Sequence, residues 1–295
     1  MCTMPAKVMH FILNPIAGGM PAERVEEYIR RYIKPVLIST TFHYTQYAGH
    51  GYEIARDLAA GGAPFVVAVG GDGTAHEVGA ALIGTETALG IIPNGSGNGF
   101  ARQLKIPLQF PECVEVLNRL SLKMVDTGEI NGQPFLNIAG IGFDADVANI
   151  FAERKRTGFW GYASIIFKRF AKAQNEFFEL EMETEVMRPK ALMICFANGA
   201  QFGNRAYIAP KASTSDGYME VCILRKPLWI SLPFFLWNMF NKHTDRSRYL
   251  KVYRTREVLV RHSGAIFQAD GEVFPAPREF RVRILPSSLH ILVQK

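Results

Sequence analysis

Cysteine is scarce in this 295-residue chain: Cys2, Cys113, Cys195 and Cys222 stand far apart and no C-x-x-C pair occurs. That pattern excludes a zinc knuckle and a dense disulfide framework, and reduced thiols are expected. Long apolar runs are missing as well. No stretch reaches the roughly 18 consecutive apolar residues of a membrane-spanning helix, and Met1–Lys7 has no apolar segment of signal-peptide type. A cytoplasmic protein is the resulting expectation. Charge of one sign is only mildly in excess. Lys plus Arg number 33 against 27 Asp plus Glu, a net +6, which suits an anionic partner but does not indicate nucleic acid without a basic groove motif. There is no internal repeat and no low-complexity tract. With 48% hydrophobic and 20% charged residues, the chain has the composition of a folded protein of roughly two domains.

What is present is a change of pattern near the middle. The first part alternates strand-like runs (Val8–Leu13, Phe65–Val69, Leu89–Ile92) with amphipathic segments (Ala22–Ile33, Ala75–Leu82), which predicts βαβ units on a parallel sheet. From about Val125 the pattern becomes one of hairpins. Asn131-Gly132 separates Val125–Ile130 from Pro134–Ala139, and Phe178–Thr184, Lys190–Phe196 and Tyr218–Leu224 follow. The prediction is an α/β nucleotide-binding domain over residues 1–127 and a mainly antiparallel β domain over 128–295. The last strands, about 280–295, are free to pack on either.

Three glycine-bearing loops follow predicted strands in the α/β half: Asn14-Pro15-Ile16-Ala17-Gly18-Gly19, Gly70-Gly71-Asp72-Gly73-Thr74, and Pro93 to Arg102 (PNGSGNGFAR). Loops at the carboxyl ends of parallel strands form the ligand crevice of such sheets, and glycine lets main-chain N–H groups approach phosphate oxygens. The conjunction suggests a polyphosphate site. No Walker G-x-x-x-x-G-K-[ST] occurs. Gly140-Ile141-Gly142-Phe143-Asp144-Ala145 fits G-x-G-x-x-A, but it lies outside the βαβ half and lacks the acidic ribose partner about 20 residues on, so the match is taken as accidental.

The run VVAVGGDGTAHEVGAAL (Val66–Leu82), with NPIAGG before it and the spacing of Pro93–Ala101 after it, resembles the diacylglycerol kinase catalytic family, which includes bacterial lipid kinases and sphingosine kinases. The resemblance continues through Asn137–Ala145, Ile208-Ala209-Pro210, Ser213–Val221 and Asp270-Gly271-Glu272, in order and over nearly the whole chain. It implies an α/β nucleotide domain and a β-rich domain with a cleft between them. The implied activity is transfer of the γ-phosphate of ATP, with Mg²⁺, to the hydroxyl of a diacylglycerol-like lipid. A sphingoid-base kinase, a kinase of a soluble acceptor such as NAD, and a non-catalytic lipid- or nucleotide-binding regulator are the alternatives.

Carried over residue by residue, the resemblance places Asn14, Gly18, Thr45, Gly70, Gly71, Asp72, Gly73, Thr74 and Ser96 at the nucleotide. Asp72 would engage it through Mg²⁺, water or hydrogen bonds, or simply cap the following helix. A hydroxyl acceptor must lose a proton, and the family places its proton acceptor in the D-G-E segment, here Asp270 or Glu272. If the chain stays extended there, both carboxylates share one face; an ordinary D-G turn is the alternative. Asp216-Gly217 resembles a structural metal loop of the bacterial kinases, which would use Asp216 with the main chain of Ser213 and Tyr218, or it is a plain turn. Gly99 stands where the family often has an acidic residue.

A lipid substrate implies work at a membrane surface. Arg154–Lys172 carries six basic and no acidic residues among aromatics, and Pro227–Asn241 is rich in Phe and Trp. Both suit anionic lipid headgroups, or else the aromatics fill the β-domain core. Peripheral membrane association is expected and nucleic acid is not; the oligomeric state is open, a homodimer included.

Overall fold

The computed structural model describes residues 7–34, 38–153 and 167–294. The chain divides into two compact units, the first comprising Met1–Thr127 with Pro286–Lys295 and the second Gly128–Leu285. Residues 154–166 of the basic aromatic stretch lie outside the described residues, and 167–172 are helical. Among the described residues no helix is long and apolar enough to cross a membrane.

Unit 1 runs β1 (Lys7–Leu13), α1 (Ala22–Tyr32), β2 (Ile38–Tyr44), α2 (His50–Ala60), β3 (Phe65–Gly70), α3 (Asp72–Leu82), β4 (Ala88–Pro93), α4 (Gly99–Gln103), α5 (Phe110–Arg119), and the start of β5 (Leu122–Ile130). The strands are parallel in the order β2-β1-β3-β4. Every residue of β3 (FVVAVG) and β4 (ALGIIP) is buried, as inner strands covered on both faces require. β2 (ISTTFHY) is the polar edge, with only Ile38 buried. The chain steps from β1 to β2 in one direction and returns across β1 to β3. Right-handed crossovers then put α1 and α2 on opposite faces; α1 packs with α5, and α2 with α3.

Unit 2 is built from β6 (Gln133–Phe135), β7 (Ile138–Gly142), α6 (Phe143–Glu153), β8 (Glu176–Met182), β9 (Val186–Met187), β10 (Lys190–Ala191), β11 (Met193–Ala197), β12 (Met219–Leu224), the helix Leu232–Phe240, β13 (Leu250–Thr255), β14 (Glu257–His262), β15 (Ile266–Ala269), β16 (Glu272–Pro275) and the start of β17 (Glu279–Leu292). A six-stranded antiparallel sheet has the order β13-β12-β11-β7-β15-β16. In the other sheet β8 pairs with β14, and β14 with β17. Ile141, Phe196 and Val221 of the six-stranded sheet share one core with Leu180, Val260 and Val282. The C-terminal strand is continuous: Phe280 and Val282 belong to the core of unit 2, whereas Ile291 pairs in parallel with Leu89 in unit 1.

The sequence predicts one strand over Pro134–Ala139, and here the structure differs. The turn at Asn131 (φ 49°) and Gly132 (φ 80°) is the left-handed two-residue hairpin turn that N-G favours. The strand after it stops at Phe135, and β7 begins at Ile138. The interruption has a cause in the main-chain N–H groups of Leu136, Asn137 and Ile138, all of which donate to one carboxylate, that of Asp270.

Candidate active-site elements

In unit 1, β1, β3 and β4 are adjacent and parallel, so the loops that follow them open at one edge of the sheet. The change of direction at β1, with β2 on one side and β3 on the other, is the topological switch point at which such sheets bind ligands. The loops are tied to one another by polar contacts. Asn14 donates its main-chain N–H to Val69 O (3.2 Å) and its Nδ2 to Thr74 Oγ1 (3.3 Å). Asn94 N donates to Gly70 O (2.7 Å), and Asn94 Nδ2 to the carbonyls of Ala17 (3.3 Å) and Met20 (3.1 Å).

Asp72 lies in the first turn of α3, whose N-cap is Gly71, so its side chain is not the helix cap. Its Oδ1 accepts the N–H of Gly99 at 2.6 Å, joining the loop after β3 to the one after β4. Gly99 therefore supplies a main-chain donor where the family often has an acid. Packing at this junction is tight: a Cβ on Gly95 would lie 2.5 Å from Gly71 Cα, and one on Gly18 (φ +89°) only 1.8 Å from Asn94 O.

The structure thus gathers Asn14, Gly18, Gly71 and Ser96 on three neighbouring loops, with Gly70 at the end of β3 and Asp72, Gly73 and Thr74 in the first turn of α3. Thr45 follows β2 on the far side of β1 and is buried, with its N–H on Leu13 O at 2.9 Å. Sequence reading overlooked Glu77. From α3 its two carboxylate oxygens accept the N–H groups of Gly49 (2.8 Å) and Gly51 (3.0 Å), satisfying donors at the start of α2. The only signal was an acidic residue three places after the GGDGT run.

In unit 2 the extended D-G-E strand is corrected to a turn. Asp270 (φ 50°) and Gly271 (φ 93°) are the two central residues of the β15–β16 hairpin, so strand alternation does not put Asp270 and Glu272 on one face. Asp270 Oδ2 accepts Leu136 N (2.6 Å), and Oδ1 accepts Asn137 N (2.9 Å) and Ile138 N (3.0 Å). Its lone pairs are engaged by three main-chain donors. Glu272, first residue of β16, is exposed.

The turn is held from behind by Gln268. Its Oε1 accepts Gly271 N (2.8 Å) and its Nε2 donates to Asp144 Oδ2 (2.7 Å). Burial pushes the Asp144 carboxyl up to about 6, against the opposing hydrogen bonds from Gln268 and Cys195. Because the folded pKa lies above the unfolded one, this group is destabilising at neutral pH. Its contribution becomes less favourable as pH rises from about 4 to about 6, by on the order of 2–3 kcal/mol in total. Asp144→Asn, which keeps an acceptor for Gln268, is expected to raise the melting temperature at pH 7.5 and to gain little or nothing at pH 4. Melting curves across that range provide the check.

The expected metal loop at Ser213, Asp216 and Tyr218 is a turn closed by an internal cation. Asp216 Oδ1 accepts Tyr218 N (3.1 Å), and Oδ2 is ion-paired with Arg254 Nη2 at 2.7 Å. The Arg254 and Arg256 guanidinium groups lie 4.3 and 4.8 Å from the Tyr218 ring centre. In this conformation a guanidinium, not an open coordination position, faces the carboxylate. EDTA is accordingly expected to leave the melting temperature of the purified protein unchanged, while Arg254→Gln lowers it.

Comparison with known proteins agrees with both units. Residues 8–130 match the family model described as "Diacylglycerol kinase catalytic domain", and residues 137–293 the one described as "YegS C-terminal NAD kinase beta sandwich-like domain". The chain belongs to the diacylglycerol kinase family and is, by that membership, of the lipid kinase class. It is 29% identical over 304 residues to a protein of Synechocystis sp., covering 97% of this chain and 70% of that one. It is 33% identical over 186 residues to the "Probable lipid kinase YegS-like" of Pseudomonas aeruginosa, covering 61% of this chain and 60% of that protein. A crystal structure of a diacylglycerol kinase from Bacillus anthracis has the same fold, with a TM-score of 0.77 at 18% identity over 98% of this chain and 97% of that one.

Proposed function

We propose that the chain transfers the γ-phosphate of MgATP to the hydroxyl of a diacylglycerol-like lipid. The observation that carries this reading is the cross-braced set of glycine loops at the ends of β1, β3 and β4. Such loops offer main-chain N–H groups, those at the start of α3 included, to phosphate oxygens. Phosphoryl transfer is mainly a matter of positioning and charge stabilisation. A rigid cradle supplies the first, and the Mg²⁺ that arrives with the nucleotide contributes to the second.

Asp72 acts in this reading by fixing the loop after β4 against α3. In unit 2 the roles of the two acids separate. Asp270 is the brace that holds residues 136–138, and Glu272 takes the proton of the acceptor hydroxyl. Gln268 and Asp144 hold the turn that presents Glu272.

The test is ATP-dependent phosphorylation, followed with radiolabelled ATP, over diacylglycerol, a sphingoid base, NAD and a no-acceptor control. Labelled phosphatidic acid is the expected product. Label in the sphingoid base or NAD alone replaces the acceptor, and nucleotide binding without transfer to any of them makes the chain a regulator.

A further inference from the structure

The helix Leu232–Phe240 (LPFFLWNMF) has no charged residue, and only Phe235 and Asn238 in it are buried. Phe235 packs with Leu224 and Leu250 in a core cluster of unit 2. A helix that is apolar on every side is normally enclosed. This one is open: Ile230, in the turn leading into it, is 88% exposed, Phe234 68% and Trp237 67%. Spaced by four and then three residues, they form one ridge. Leu228, Trp229 and Phe240 are exposed beside it, and Trp229 packs on Phe167 and Phe170 at ring-centre distances of 5.0 and 5.3 Å. Contiguous exposed apolar surface of this kind marks an interaction site.

The ground around the ridge is cationic. Between Arg225 and Thr244 the sequence has no acidic residue. A groove of about 360 Å³ is lined by Arg225, Lys226, Leu228 and Arg248 with Asn175 and Tyr249. A second of about 430 Å³ shares Asn175 and Arg225 and adds Arg188, Lys190 and Lys251. No Asp or Glu lines either groove. Arg188 is paired with Glu179 at 2.7 Å, and Lys226 Nζ is held by the carbonyls of Ala171 (3.2 Å) and Ala173 (2.7 Å). Lys226 keeps its charge beside these neutral carbonyls, and Lys190, Arg225, Arg248 and Lys251 add theirs to the positive field of the grooves.

We infer that this face of unit 2 docks on an anionic lipid bilayer, with Ile230, Phe234 and Trp237 entering the acyl boundary and the groove cations meeting phosphate headgroups. A bilayer offers both chemistries side by side, and Trp favours its interface. A second copy of this chain fits less well: a two-fold contact through the ridge sets one cationic rim against another. Docking is independent of the phosphoryl-transfer reading, since the assay contains no nucleotide and either can fail without the other.

The full chain is sedimented with phosphatidylcholine vesicles, with and without phosphatidylglycerol, alongside Phe234→Ser/Trp237→Ser and Lys190→Gln/Arg225→Gln/Arg248→Gln/Lys251→Gln. All substituted side chains are exposed or at the surface, and unchanged circular dichroism melts confirm folding. Binding is expected only with phosphatidylglycerol. It should weaken about tenfold or more in each variant and in high salt, since clustered surface cations each add about 1 kcal/mol near an anionic bilayer, and a blue shift of tryptophan emission should accompany it. Equal binding by wild type and both variants overturns the proposal, as does no binding to either vesicle. A dimer in sedimentation equilibrium that Phe234→Ser/Trp237→Ser dissolves assigns the ridge to a second copy instead.

Discussion

Glu272→Gln is expected to lower turnover by roughly 10²–10⁴-fold, the range that removal of a general base produces, while ATP affinity stays nearly unchanged. The carboxylate stands at the first position of β16 and is exposed, and the amide fills the same space while giving up the ability to take a proton. Asp270→Asn is expected to behave differently. Its carboxylate accepts three main-chain N–H bonds from Leu136, Asn137 and Ile138, and an amide has one oxygen to offer and turns an NH₂ toward a donor. Hydrogen bonds to charged groups contribute about 1.5–3 kcal/mol each. Asp270→Asn should therefore lower the melting temperature clearly, whereas Glu272→Gln should not. Single-turnover rates, nucleotide affinity by calorimetry and melting temperature, measured on both variants, separate the two roles. Full turnover in Glu272→Gln with chemistry rate-limiting moves the base elsewhere.

The turn that separates Asp270 from Glu272 was hidden in the sequence for a physical reason. D-G-E is compatible both with an extended strand and with a two-residue turn, and the choice is made by partners more than 130 positions away, the N–H groups of residues 136–138. Asp216 is similar. Its local context, S-D-G-Y, does not reveal that β12–β13 pairing sets Glu220 opposite Arg254 and brings the guanidinium to Asp216. What could be read locally was read well. The buried runs of β3 and β4 and the loops after them depend on hydrophobic continuity and glycine, both of which act over a few residues. β2 and α2 escaped because their signals are weak. β2 is a Thr-rich edge with one buried residue, and α2 has Gly49 as its N-cap and no side-chain cap of its own, the N–H groups of Gly49 and Gly51 being satisfied by Glu77 from another helix.

The same logic explains why the glycine loops work as a unit, and a single methyl group tests it. Gly95→Ala is expected to abolish measurable ATP binding, a loss of at least about 100-fold. The added Cβ would sit 2.5 Å from Gly71 Cα and 3.0 Å from Asn98 Oδ1. The nearer neighbour is main chain, and the other is the end of a short side chain held by hydrogen bonds. Gly71 is the N-cap of α3, and Asn98, itself at φ 51°, is held by accepting Gly95 N (3.1 Å) and donating to Gly95 O (2.7 Å). Relief of the overlap must therefore move main chain, parting the loop after β3 from the loop after β4 and stretching the Asp72–Gly99 bond that joins them. The N–H groups lost from register are the ones an anion at the start of α3 needs, and hydrogen bonds to a charged group contribute about 1.5–3 kcal/mol each, so losing two costs on the order of 10²-fold or more in affinity. Gly61→Ala is the control: it stands at φ −77° just after the last turn of α2, outside these loops, and a Cβ there would come no closer than 3.4 Å to its neighbours, so the fold is undisturbed. Melting of unit 2 should be unaffected by either substitution. Calorimetry with ATP reads the difference, and near-normal affinity in a folded Gly95→Ala protein would remove the nucleotide from these loops.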